Sequence, residues 1–248
     1  LSLCIVDFHT HLCDAKFWFK GKGALSSYSK QYFNDFSVEF AVSLPLLSAF
    51  DRWMKPRKIN PLKSDRTVPF ILAGGSPPSN KPLGVKVHPP LQNASADDPI
   101  FEPFYELAEK ARCPVVIHFG YCSAGNLKFA DPIVLDFIAD SFPSVTFIMA
   151  HMGTGRGGYW ENAKMVALKN DNVYLETSWA PPKVITEAVA MFGDERILFG
   201  SDYPFKSLSE ELGKITSLNL PNESLIRILG ENAKKLLRRV RNVQGALR

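Results

Sequence analysis

Five histidines stand at or just past the ends of short apolar runs in this chain. The runs are CIVDFHTHL (His9 and His11), GVKVHPP (His88), PVVIHFG (His118) and VTFIMAHMG (His151). A run of the same kind, RILFGSDYP, ends in Asp202. Neutral imidazole nitrogens and an ionised carboxylate are the donor set of a catalytic divalent ion that keeps one position open. Such an ion makes water acidic near neutral pH. A carboxylate beside it can carry the proton, and a further histidine can polarise a carbonyl or act as a general acid.

One histidine alone reads better as a hydrogen-bonded core or loop residue. All five at run ends, together with Asp202, favour a site. A Ser/His/Asp hydrolase fits less well, because there is no GxSxG elbow and Ser201-Asp202 has no arguable partners.

The elements that must position these residues are legible as eight apolar, β-branched-rich runs. They are 4–9, 39–46, 67–74, 84–88, 114–119, 145–151, 173–178 and 197–202. Their near-continuous apolar character suits parallel strands buried on both faces. Helical patterns lie between most of them, at 98–113, 131–142, 159–170, 181–193 and 207–218, and NESLIRIL and GENAKKLLRRVRN add two more. Asp98-Pro99 and Asp131-Pro132 read as caps with proline in the first turn, and Gly193 as a stop. Strand–helix alternation repeated eight times predicts a (β/α)8 TIM barrel in one domain, residues 1–248. An open doubly wound sheet is the competitor. Candidate residues on strands one, five, six and eight favour the barrel, because only closure brings strand eight beside strand one. In strand one, Ile5, Asp7, His9 and His11 share a parity and are expected to point inward. Residues 13–37 read either as a lid over the catalytic face or as a plain crossover helix.

The chain has 248 residues, 46% of them hydrophobic and 22% charged, with a net charge of +4. This is ordinary for a soluble protein with a large core. The basic C-terminal stretch from Lys234 reads as a solvated helix end, so no nucleic-acid partner is expected. No apolar stretch of 18 residues and no signal peptide are seen, so no membrane partner and a cytoplasmic location are expected. Cys4, Cys13, Cys113 and Cys122 form no CxxC pair and are read as free thiols. A homodimer is compatible with all this, although no interface is readable.

The residues resemble the amidohydrolase superfamily, and within it the amidohydrolase-related branch, also called amidohydrolase 2. The resemblance rests on His9-Thr-His11, a histidine ending strand five, AHMG, GSDYP and ILGENAKKLL, and covers about residues 4–240. It implies a metal-dependent TIM barrel with His9, His11, His118 and Asp202 as ligands of one divalent ion. Zinc is expected first, manganese or another divalent ion next, and a second ion is expected against. Asp202 would also shuttle protons, and His151 would be the acid/base.

The implied reaction is hydrolysis of a small, carboxylated or cyclic substrate. Alternatives are non-oxidative decarboxylation of an aromatic or unsaturated acid, or a metal-stabilised binding barrel without activity. Lys86, two residues before His88, has three readings. It is a substrate or second-sphere contact, an interior ion pair with Asp7 or Glu176, or a carboxylated bridge between two ions. His88, Arg156 and Trp179 complete the expected substrate contacts, each against a structural alternative.

Overall fold

The structure is a computed structural model and describes residues 4–15, 18–19, 23–35, 38–48, 57–154 and 158–240. Eight strands form the barrel. They are β1 (Ile5–Thr10), β2 (Val38–Ser43), β3 (Thr67–Pro69 continued by Ile71–Leu72), β4 (Val85–Val87), β5 (Val115–His118), β6 (Phe147–Ala150), β7 (Val173–Glu176) and β8 (Ile197–Leu198). Each pairs in parallel with the next, for example Asp7 with Ala41, Ala41 with Thr67, Ile71 with Val85 and Leu175 with Ile197. All eight coincide with the apolar runs, as buried parallel strands should.

Proline has no N–H to give to a ladder, and Pro69 divides β3 into two short pieces. Pairing continues across it. Phe70 N–H donates to Ser43 O at 3.0 Å on one side, and Ile71 N–H to Gly84 O at 3.0 Å on the other. At the seam, Phe8 N–H donates to Phe199 O at 2.8 Å, Asp202 N–H to His9 O at 2.7 Å and His11 N–H to Tyr203 O at 2.7 Å. These bonds join β8 to β1 and close the circuit, so Asp202 comes to lie beside His9 and His11. The fold is the expected TIM barrel.

The expected parity of β1 fails at Asp7. Three steps along β1, from Asp7 to Thr10, match two along β2, from Ala41 to Ser43. That is a β-bulge, which resets the alternation. Phe8 meets Phe70 edge to face, with ring centroids 6.1 Å apart. Asp7 does not reach the cavity. It accepts from Tyr32 Oη at 2.7 Å and from Ser201 N–H at 2.9 Å. His9, within the bulge, and His11, after it, both enter the cavity.

Crossover helices follow the expected segments: α1 (Leu25–Asp35), α2 (Glu102–Ala111), α3 (Leu135–Ser141), α4 (Trp160–Lys169), α5 (Pro182–Phe192) and α6 (Leu208–Thr216). Among its described residues, 13–37 contains an antiparallel pair, Trp18–Phe19 with Gly23–Ala24, followed by helix α1, which buries Tyr32 against Asp7 and supplies the first crossover. Gly193 ends α5 at φ 74°, and Asp131 caps a short turn before α3 by accepting from Ile133 N–H.

The two expected C-terminal helices are one continuous run through Asn222–Ile226, Arg227–Glu231 and Asn232–Leu237. Gly230 does not stop it. A Cβ there would lie 2.2 Å from the Cys4 carbonyl oxygen, so glycine lets this helix pass close to the start of β1. Asn232 Nδ2 donates to Asp194 O at 2.7 Å and Ile197 O at 2.9 Å, pinning the entry to β8. Removing a buried donor from two carbonyls costs about 1–3 kcal/mol. Asn232→Ala is therefore expected to lower the thermal midpoint by several degrees. An unchanged midpoint in a calorimetric scan would remove Asn232 from this role.

All four cysteines are free, as expected. Among the described residues no helix is long and apolar enough to cross a membrane.

Candidate metal centre

A cavity of about 370 Å³ opens where the C-terminal ends of the strands converge. His9, His11, Lys86, His88, His118, His151, Trp179 and Asp202 all line it. Arg156, the remaining expected contact, lies outside the described residues. One to four residues past the ends of β6, β7 and β8 stand non-glycine residues with left-handed backbone: His151 at φ 58°, Trp179 at 60° and Asp202 at 57°. Such backbone is costly and persists where surrounding structure enforces it, often at functional sites. Here it turns the three side chains into the cavity mouth.

The hydrogen bonds decide which nitrogen of each imidazole is free. His9 Nδ1 lies 2.7 Å from Glu176 Oε2, and His11 Nδ1 lies 3.2 Å from Leu44 O. Both partners can only accept, since Glu176 is held ionised at a pKa of about 2. Burial pushes the Glu176 carboxyl up, but the charge and hydrogen bond of His9 more than reverse it. Each Nδ1 therefore carries a hydrogen, and in the neutral form of each ring it is Nε2 that presents a lone pair. Those two lone pairs converge on one oxygen. Asp202 Oδ1 is 3.4 Å from His9 Nε2 and 3.2 Å from His11 Nε2. Trp179 Nε1 donates to the other oxygen, Oδ2, at 2.6 Å. Burial alone would raise the Asp202 carboxyl, but the neighbouring histidines hold it far below the usual carboxylate range.

His9, His11 and Asp202 thus offer three donor atoms within 4.8 Å of one another, as one ion requires. The donor set and its tautomers fit a divalent cation. Two lone pairs and a carboxylate oxygen facing each other without one would be poorly compensated.

His118, the fourth expected ligand, stands outside this triad. Its Nδ1 is 3.2 Å from His151 Nε2, and its buried Nε2 has no hydrogen-bond partner among the described residues. With His88 and Cys122 it forms a second group of donor atoms within 4.8 Å of one another. His88 stacks on it at 4.0 Å, and its Nδ1 also accepts weakly from Leu91 N–H in the turn Pro89–Gln92. His151 is engaged at both nitrogens, by Ser178 Oγ at 2.7 Å and by His118. Burial lowers its pKa to about 4, so the ring is neutral at physiological pH.

Lys86 is 1% exposed, and its Nζ has no hydrogen-bond partner among the described residues. An ion pair with Asp7 is not formed, because Asp7 is engaged by Tyr32 and Ser201 on the other side of the bulge. Glu176 is instead saturated by His9, Ser178 and the His151 N–H. Burial lowers the Lys86 pKa to about 8, with Asp202 and Glu176 acting in the opposite direction.

Glu176 organises the site more than any other residue, and the expected set omitted it. The signal was present: VYLETS places it at a run end, as the other runs place their histidines. Gly200 makes room for it, since a Cβ there would lie 2.2 Å from Glu176 Oε1. That explains the glycine ahead of Ser201-Asp202.

Comparison with known proteins agrees with this architecture. An uncharacterised TIM-barrel protein from Bordetella bronchiseptica superposes with a TM-score of 0.73 at 17% identity, over 96% of this chain and 99% of the other. A Pseudomonas putida protein provisionally assigned as a 2-pyrone-4,6-dicarboxylic acid hydrolase gives 0.66 at 14% identity, over 96% and 99%. A 2,6-dihydroxybenzoate decarboxylase from Rhizobium gives 0.62 at 13% identity, over 95% and 98%. At these identities the likeness is one of fold. No curated protein matches the sequence. The amidohydrolase family matches residues 79–239, well over half of the chain, and the chain belongs to that family.

Proposed function

We propose that the protein is a metal-dependent hydrolase of a small carboxylated, cyclic substrate. The observation that carries this is the convergence of two bare Nε2 atoms, His9 and His11, on Asp202 Oδ1. These three residues would hold one divalent ion, with His118 Nε2 the available fourth donor. Zinc suits nitrogen-rich donors, and manganese is the alternative. When bound, the ion supplies Lewis acidity towards a carbonyl oxygen and towards water.

The chain's own residues divide the remaining work. Asp202 Oδ1 faces the imidazoles, which leaves Oδ2 to accept the proton of the attacking water and return it to the leaving group. Trp179 Nε1 orients that oxygen. His151 is the acid/base of the set, and because both its nitrogens are engaged it exchanges protons through His118 or Ser178. Lys86 is the anchor for a substrate carboxylate, since a buried ammonium without a partner is costly until an anion arrives. Leu46, Leu72, Leu91 and Phe205 supply apolar wall for a ring. Two proteins of this fold are named for ring acids, a pyrone dicarboxylate and a dihydroxybenzoate, which supports that substrate class.

Decarboxylation is the second reading: the buried Lys86 would grip a carboxylate in either reaction, and a dihydroxybenzoate decarboxylase shares this fold. The test is to incubate metal-loaded protein with carboxylated lactones and amides and, separately, with aromatic and unsaturated acids. The hydrolase reading expects a new acid product without carbon dioxide. Carbon dioxide as a stoichiometric product would replace it with the decarboxylase reading.

A further inference from the structure

A chain of hydrogen bonds runs from Glu176 through Ser178 and His151 to His118, and proton counting gives it a direction. Ser178 Oγ lies 2.9 Å from Glu176 Oε2 and 2.7 Å from His151 Nδ1. The hydroxyl has a single hydrogen, and a carboxylate can only accept. That hydrogen therefore goes to Glu176, and Ser178 Oγ accepts from His151 Nδ1–H. In a neutral ring His151 Nε2 is then a lone pair. It faces His118 Nδ1 at 3.2 Å. One hydrogen must lie between the two nitrogens, and only His118 is left to provide it. His118 Nε2 is therefore bare, and it is the buried nitrogen that lacks a partner. The orphan is the product of the relay and not an isolated defect.

Ser178 is well placed to hold this arrangement. It is fully buried, and its own N–H donates to Glu176 Oε1 at 2.5 Å, so hydroxyl and backbone grip the two oxygens of one carboxylate. The same Oε2 takes His9 Nδ1–H, so one carboxylate orders two imidazoles, one directly and one through the serine.

We propose that Ser178 is a positioning residue that sets the tautomer of His151 and, through it, of His118, so that His118 presents a bare Nε2 as an electron-pair donor. The acceptor would be an electron-poor centre, and its identity as a divalent ion rests on the function proposed above. The tautomer assignment does not rest on that function.

Tautomers are read directly from the ¹⁵N shifts of imidazole nitrogens in the full-length protein, metal-free and zinc-loaded. The wild-type protein is expected to show hydrogen on Nδ1 of both His151 and His118. Ser178→Ala removes the acceptor, so His151 is expected to move towards the Nε2–H form, with His118 changing in concert. Ser178→Thr restores the hydroxyl and is expected to restore the wild-type pattern. A wild-type His151 with hydrogen on Nε2, or with both nitrogens protonated at neutral pH, would overturn the relay. So would a Ser178→Ala protein whose two rings keep the wild-type tautomers. If Ser178→Ala does not fold, the wild-type and Ser178→Thr spectra decide the matter. Absence of metal-dependent turnover would count against the proposed function and leave the tautomers where they are.

Discussion

Asp202→Ala is expected to abolish stoichiometric binding of a divalent ion and to lower turnover by roughly 10²–10⁴-fold, the range lost with a general acid–base group. The variant removes the carboxylate oxygen that lies within 3.4 Å of both His9 Nε2 and His11 Nε2. It leaves the strands intact, because the barrel seam at this point is made by the Asp202 N–H and the His9 carbonyl, which alanine retains. The left-handed backbone at Asp202 adds some strain for any residue with a Cβ, and aspartate already bears most of that cost. Metal content measured by elemental analysis, alongside a thermal scan, separates loss of the ion from loss of the fold. Full metal occupancy in a folded Asp202→Ala protein would place the ion elsewhere.

Glu176→Gln is expected to lower both stability and metal affinity strongly. The carboxylate accepts from His9 Nδ1, Ser178 Oγ and the His151 N–H at Oε2, and from the Ser178 N–H at Oε1. Every neighbour is a donor. An amide has one accepting atom, so either orientation turns an NH₂ group against at least one N–H in a fully buried position. Breaking a buried, hydrogen-bonded charge of this kind costs about 3–5 kcal/mol. For a chain of this size that corresponds to a fall in the melting midpoint of roughly 6–20 °C. The His9 tautomer would lose its anchor, which typically weakens metal binding about 10–100-fold. Calorimetry and metal titration read the two effects separately. A variant with wild-type values in both would show that Glu176 is a passive filler of the barrel.

Much of this site was legible in the residues themselves because a parallel barrel puts function at strand ends. His9, His11, His118, His151 and Asp202 could be found by asking which apolar runs end in a metal-ligating type. The barrel followed from eight such runs, since strands buried on both faces leave a continuous apolar signature. What could not be read was local. The bulge in β1 sends Asp7 to Tyr32 and Ser201, and strict alternation gives no warning of it. Gly230 looks like a helix stop in one dimension, and only the nearby Cys4 carbonyl explains why glycine sits inside a helix. Glu176 was overlooked because a carboxylate at the end of β7 reads equally as a partner for Lys86. Its role depends on which donors surround it, a property of the assembled barrel. The separation of His118 from the other three candidate ligands likewise comes from how β5 and β6 seat their terminal rings against one another.

The place of the ion can be seen by anomalous scattering from a crystal of the zinc- or manganese-loaded protein. One dominant peak is expected, bonded to Nε2 of His9, Nε2 of His11 and the Asp202 carboxylate. A dominant peak held by His88, His118 and Cys122, with the other triad empty, would rule out the metal centre proposed at His9, His11 and Asp202.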